Sequence, residues 1–179
     1  MYRASCGVHL HFAHHVRGHR GPCISLHGHT WRFEVMLEAR ELDAEGFVVD
    51  FDRVHEELLD PCFRLLDHSL ALGAASFDET RADLARLGET LVRSRRETLG
   101  HLGDAPPVLV GALAGARNEL PGGIKLSVFP FTPTSERLAR WLFDAAAASF
   151  GDARVRVARA RIYESLQPSE SFAEYAPAE

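Results

Sequence analysis

The sequence predicts a single domain of the α+β class, and three observations predict it. Residues 2–14 and 27–40 alternate apolar and polar side chains as half-buried strands do. Residues 51–65 and 134–145 instead place apolar side chains at helical spacing. Strand-like patterns then return at 154–163 and 170–175.

Composition bounds the remaining choices. A chain of 179 residues is long enough for one sizeable core. With 46% hydrophobic and 25% charged residues it reads as soluble and globular. A formal charge of −5, with ten neutral His, argues against an electrostatic nucleic-acid binder. No apolar run approaches the roughly 18–20 residues that span a bilayer. Met1 to Cys6 lacks the apolar core of a signal peptide, so a cytoplasmic protein is expected. Three Cys is an odd count, which predicts reduced thiols and no disulfide framework.

In strand one, Val8, Leu10 and Phe12 alternate with His9, His11 and Ala13. Residues 15–26 form a loop rich in His, Arg and Gly, with a turn signal at Gly21-Pro22. In strand two, Trp31, Phe33, Val35 and Leu37 share one phase with His27 and His29. Leu42 to Gly46 reads as a turn and Phe47-Val48-Val49 as a short strand. Asp50 or Asp52 caps a helix whose stripe is Phe51, Val54, Leu58, Cys62 and Leu65. Pro61 kinks it or marks a second start. Residues 78–99 suit an amphipathic surface helix, and Pro/Gly clusters at 105–107 and 121–123 bracket a loop-like region. Ile124 to Phe129 is a short strand. Thr134 or Ser135 caps the next helix, with Glu136 in its first turn and Leu138, Trp141, Leu142 and Ala145 as its buried stripe. In the strand from Arg154 to Tyr163 the apolar phase slips by one near residue 158, as a β-bulge would make it do.

The chemistry centres on Cys23-Ile24-Ser25-Leu26-His27-Gly28-His29. Side chains i and i+2 of a strand share a face, so both imidazoles can converge on one metal ion. Gly28 lets a backbone or ligand come close. His14 continues the Val8/Leu10/Phe12 face and His15 does not, so His14 is the third candidate ligand. Three His with an open position is the arrangement of catalytic zinc. Cys23 is either a fourth ligand, closing a structural site, or a free thiolate beside the metal. Asp67-His68 is a second signal. At a helix end the carboxylate can orient the imidazole; the plainer reading is a cation near a helix C-terminus. Glu164 at a strand end can accept two parallel N–H bonds, or be an ordinary exposed Glu. His9, His11, His15, His19, His55 and His101 read as surface or partly buried histidines.

Taken in order, Phe12-Ala13-His14, Cys23-xxx-His27-Gly28-His29, Gly46 to Phe51, Leu66-Asp67-His68, Pro133-Thr134-Ser135-Glu136-xx-Ala139 and Tyr163-Glu164-Ser165 resemble the 6-pyruvoyl-tetrahydropterin synthase and 6-carboxytetrahydropterin synthase family. They cover about residues 8–72 and 126–175. The resemblance implies the tunnelling fold: an antiparallel four-stranded sheet with two helices on one face. It also implies a homo-oligomer, a trimer or hexamer, with active sites at subunit interfaces. Such edge-to-edge assembly also covers exposed strand edges. Zinc is the implied cofactor, held by His14, His27 and His29. Cys23, Asp67 and His68 are the implied proton-transfer set. Thr134, Ser135 and Glu164 are implied to hold the pterin ring. Two departures stand out: an insertion at about 73–125, expected to be helical in part, and Phe12 where the family has a small residue.

The implied reaction converts 7,8-dihydroneopterin triphosphate to 6-carboxy-5,6,7,8-tetrahydropterin, releasing triphosphate and acetaldehyde in deazapurine-type biosynthesis. The pyruvoyl-forming reaction and dihydroneopterin cleavage are the alternatives within the same fold. A non-catalytic module with a structural zinc bound by Cys23 and the three His is the alternative outside it.

Overall fold

A computed structural model of the chain describes residues 1–79, 81–82 and 125–178. Its centre is a hairpin of two long strands, β1 (Tyr2–His14) and β2 (His27–Ala39), antiparallel with Tyr2 opposite Ala39 and His14 opposite His27. On β1, Leu10, Phe12 and His14 are buried while His9 and His11 are exposed, so the alternation of the sequence is the alternation of the two faces. Trp31, Phe33, Val35 and Leu37 fill the same inward face from β2.

Next come a short helix α1 (Phe51–Val54), a π-turn (His55–Leu59) and α2 (Asp60–Leu66). Strand β3 (Ser69–Gly73) comes after them, then β4 (Leu126–Phe129), helix α3 (Ser135–Phe150), β5 (Val155–Ser165) and β6 (Ser171–Tyr175). The strands form one sheet in the order β4-β3-β1-β2-β5-β6. The sheet therefore has six strands and is mixed, where the sequence leads one to expect four antiparallel strands. β1, β2, β5 and β6 are the antiparallel four. The other two flank the insertion: β3 runs parallel to the last three residues of β1, Phe12–His14, and β4 runs parallel to β3.

The helices pack on the inward face and close a single core. Val54, Leu58, Leu59, Leu66, Leu138 and Leu142 are all 3% exposed or less. The expected stripe Phe51, Val54, Leu58, Cys62, Leu65 is correct in its middle and wrong at its ends. Phe51 is 53% exposed and Leu65 is 41% exposed. The π-turn adds one residue to a turn, which rotates the rest of the helix and exchanges Leu65 for Leu66 on the buried side. Asp50 caps this segment by accepting the Asp52 N–H. In α3 the buried stripe is Leu138, Ala139, Leu142, Ala146 and Phe150, with Trp141 and Ala145 only half-buried.

Phe47-Val48-Val49 is not a strand. Arg154 donates to the carbonyls of Phe47 and Val48, and Val48 and Val49 tuck into the core from an irregular loop. The phase slip near residue 158 is a bulge: Met36 pairs with Arg159 and Leu37 with Val157, which leaves Ala158 unmatched. Residues 74–79 are helical. The amphipathic stretch expected over 78–99 lies mostly outside the described residues, as do His101 and the clusters at 105–107 and 121–123. No described helix is long and apolar enough to cross a membrane.

Candidate active site

The β1–β2 register brings the three candidate ligands together. His14 faces His27 directly, and His29 stands two residues along the same face. Their ring centroids are 4.7 Å (His14–His27), 4.9 Å (His27–His29) and 5.5 Å (His14–His29) apart. Backbone carbonyls fix two tautomers. His14 Nδ1 donates to Pro133 O at 2.9 Å and His27 Nδ1 donates to Ser25 O at 2.8 Å. A carbonyl can only accept, so Nδ1 carries the proton and Nε2 keeps its lone pair. The Nε2 atoms of His14, His27 and His29 are all buried and have no hydrogen-bond partner among the described residues. Trp31 lies beneath them, edge-on to His14 and His29 and stacked on Phe12 at 4.4 Å.

Glu164 completes the group. One ligand atom from each of His14, His27, His29 and Glu164 lies within 4.8 Å of all the others. Tyr163 pairs with Phe172 and Ser165 with Ser171, so Glu164 is the unmatched residue of a second bulge in β5. Bulges of this kind re-aim side chains. Glu164 Oε1 is 3.3 Å from His14 Nε2 and 3.4 Å from His29 Nε2, and Ser135 Oγ donates to Oε2 at 2.9 Å. The adjacent His14 imidazole holds the Glu164 carboxyl below its ordinary value, against burial and with help from Ser135 and His29. Burial pushes His29 down, its two neighbouring imidazoles add to this, and Glu164 opposes it.

Orphaned, buried Nε2 atoms with backbone-anchored Nδ1 atoms are what a metal-binding set requires. Three imidazoles and one carboxylate suit zinc by donor type. Cys23 lies outside the group, on a short 3₁₀ turn (Pro22–Ile24). Its carbonyl accepts the Val16 N–H at 2.7 Å, and His15 Nδ1 donates to Ile24 O at 3.3 Å, which ties the loop back on itself. Gly28 is not needed for close backbone approach. A Cβ there would meet Phe12 O at 3.5 Å, an ordinary contact.

Asp67 and His68 pair with one another rather than with the metal group. Asp67 Oδ2 accepts from His68 Nδ1 at 2.6 Å, and Asp67 Oδ1 accepts the His11 N–H at 2.8 Å. His68 N donates to His11 O at 2.7 Å. Burial works to raise the Asp67 carboxyl, but the His11 N–H and His68 outweigh it and hold it low. His68 has φ 55°, unusual for a non-glycine residue, and its side chain is 82% exposed. Its ring sits 6.4 Å from that of His11, on the outward side of β1. A shallow cavity there is lined by His11, Gly28, His29, Thr30, His68 and Ser69, among others. Thr134 uses its hydroxyl on the helix cap, accepting from Arg137 N at 3.4 Å, while Ser135 turns to Glu164. His11 and the carbonyls of Pro133 and Ser25 are contributors that the sequence pattern does not single out. Only the odd phase of His11 on β1 hints at its outward position.

Comparison with known proteins identifies the family. Residues 5–177 match the family model of 6-pyruvoyl tetrahydropterin synthase, and the chain belongs to that family. Within it, the chain is 31% identical over 72 residues to 6-carboxy-5,6,7,8-tetrahydropterin synthase of Rickettsia bellii, a match covering 40% of this chain and 52% of the relative. The chain thus spans about half the length of that relative. It is 23% identical over 182 residues to the enzyme of the same name from Haemophilus influenzae, covering 98% and 99% of the two chains. Among solved structures, an uncharacterised protein from Wolinella succinogenes aligns with TM-score 0.60 and 22% identity over 99% of this chain and 98% of its own. The 6-pyruvoyl tetrahydropterin synthase of Caenorhabditis elegans aligns with TM-score 0.55 and 14% identity over 99% and 96%. At these identities the structural likeness establishes the fold.

Proposed function

We propose that the chain is a zinc-dependent 6-carboxy-5,6,7,8-tetrahydropterin synthase. Its substrate is 7,8-dihydroneopterin triphosphate, and triphosphate and acetaldehyde leave. The observation that carries this reading is the convergence of three orphaned imidazole Nε2 atoms beside the Ser135–Glu164 pair. The curated relatives named for the carboxy-forming reaction favour it over the pyruvoyl-forming one.

His14, His27 and His29 would hold a zinc ion, which would supply Lewis acidity toward substrate side-chain hydroxyls. The protein's own groups do the rest. Glu164, ionised and oriented by Ser135, accepts N–H bonds from the aminopyrimidine edge of the ring. Asp67 keeps the proton of neutral His68 on Nδ1, so Nε2 is the atom that takes and returns protons. Cys23 serves as the second proton-transfer group. His68 is exposed and sits beside His11 on β1, which supports a homo-oligomer in which Asp67 and His68 complete a neighbour's site. A structural zinc site closed by Cys23 is disfavoured, because Glu164 and not Cys23 groups with the three imidazoles.

Mass-spectrometric product analysis tests this. Zinc-loaded protein is incubated with 7,8-dihydroneopterin triphosphate beside Cys23→Ala and His68→Ala variants. A 6-carboxy product lost in both variants is expected. A 6-pyruvoyl product would move the chain to the other branch, and unchanged substrate would refute the reaction.

A further inference from the structure

The position of Glu164 Oε1 says more than that it lies near two imidazoles. An N–H···O bond would bring it to about 2.7–3.2 Å of one ring nitrogen. It stands instead almost equally far from two, at 3.3 Å and 3.4 Å, and neither Nε2 has a hydrogen-bond partner among the described residues. Around a tetrahedral zinc with bonds of roughly 2.0–2.2 Å, neighbouring donor atoms are about 3.4 Å apart. Oε1 therefore stands at a ligand-to-ligand spacing from the Nε2 atoms of His14 and His29, and one ligand atom of His27 lies within 4.8 Å of the same group. Ser135 Oγ holds the second oxygen, Oε2, and so turns Oε1 toward the imidazoles.

This placement creates a competition. Two parallel N–H bonds from a planar ring need both carboxylate oxygens. A carboxylate whose Oε1 lies on the metal has one of them occupied. We propose that Glu164 is an exchangeable fourth ligand: it closes the metal centre while the pocket is empty, and it leaves when the paired N–H groups of a planar ring claim it. The proposal rests on the metal-binding reading above but not on the identity of the reaction. The metal's fourth position then opens only when a ring is seated. By linkage, a bound ring weakens metal affinity by the same factor as bound metal weakens ring affinity. The Ser135 contact lets the carboxylate pivot about Oε2 between the two partners without losing its anchor.

The test uses cobalt(II) in place of zinc and reads the visible absorption of the loaded protein, with no turnover. Wild type, Glu164→Gln and Glu164→Ala are compared before and after addition of unsubstituted pterin, which has no side chain to react. Circular dichroism and the urea midpoint check that the variants fold. Before pterin, both variants are expected to differ from wild type in their visible bands, and Glu164→Ala is expected to bind cobalt about tenfold or more weakly. Pterin is expected to move the wild-type bands toward those of the variants and to leave the variants unchanged. Identical spectra in wild type and variants would overturn the fourth-ligand assignment. Wild-type bands that stay fixed at saturating pterin would overturn the exchange. A failed product assay with these spectral differences intact would refute the synthase reading and leave the proposal standing.

Discussion

Replacing Trp31 with Phe tests whether the core and the candidate metal-binding group are one structure. Trp31 is fully buried, stacks on Phe12 at 4.4 Å with 7° between the planes, and donates Nε1–H to Phe12 O at 3.2 Å. It also sits edge-on beneath His14 at 4.8 Å and His29 at 5.3 Å. The phenyl ring loses the hydrogen bond, about 1 kcal/mol net. It weakens the stack by a fraction of the roughly 0.5–1.5 kcal/mol such pairs contribute. It leaves a void of roughly 40 Å³, about 1 kcal/mol at about 24 cal/mol per Å³. The expected cost is about 2–3 kcal/mol. With a urea m-value of about 2 kcal/mol/M, the midpoint of the metal-free protein falls by about 1–1.5 M with m unchanged. Because the void lies under two ligands, zinc affinity in a chelator competition is expected to drop about tenfold. A midpoint shift below about 0.25 M, or unchanged zinc affinity at the full stability loss, would refute the claim that Trp31 supports the ligand set.

Three further outcomes are expected from the geometry. Asp67→Asn replaces the carboxylate on His68 Nδ1 with an amide that can no longer fix the tautomer. Product formation is expected to fall about 10²–10⁴-fold, with zinc content measured by atomic absorption unchanged. Burial pushes the Cys62 thiol up to about 12, against an ordinary value of 9.0. The folded protein then holds a proton that the unfolded chain releases above about pH 9, so stability is lost as pH rises from about 9 towards 12. In native protein iodoacetamide is expected to spare Cys62 at about pH 8–9 and to label it only in denaturant; peptide mapping checks this. Finally, a Cβ on Gly73 would lie 2.8 Å from Phe131 O, whereas one on Gly28 meets nothing nearer than 3.5 Å. Gly73→Ala is expected to cost about 1–3 kcal/mol in urea unfolding and Gly28→Ala less than about 0.5 kcal/mol.

Much of the fold is legible in the sequence because its elements rest on local periodicity. The period-2 pattern fixes which face of β1 carries His14 and which carries His11. The slip at Ala158 announces its bulge, because one unmatched residue inverts every later side chain. β3 and β4 are less legible. Ser69 to Gly73 has too few residues to show a period, and its pairing depends on β4, which lies beyond a long insertion. The exchange of Leu65 for Leu66 is hidden for another reason. A π-turn has no sequence signature of its own, and Pro61 draws the eye to a kink instead.

The candidate site divides along the same line. Residues joined by strand periodicity, His14, His27 and His29, meet as their phases require. The partners that orient them are carbonyls of Pro133 and Ser25, and any residue type supplies a carbonyl, so no sequence pattern marks them. Glu164 is the instructive case. It shares the inward phase of Ala160 and Ile162, so periodicity places it on the core face, where an unpaired carboxylate is costly. That cost is offset only if cations or donors are already there. Ser135 lies at the start of α3 and the imidazoles lie on β1 and β2, so three separate segments must converge before the charge is tolerable. An acidic residue in an apolar strand phase therefore points to a site whose other members lie elsewhere in the chain. Glu38, 2% exposed although it lies on the opposite phase of β2 from Trp31, Phe33, Val35 and Leu37, is held by Arg3 and Arg156, which donate to it from β1 and β5. There the partners are permanent cations with no vacant lone pair, and the arrangement is a structural ion-pair network. The contrast in partners, imidazole lone pairs in one case and guanidinium protons in the other, is what separates a candidate metal site from a cross-strand tie.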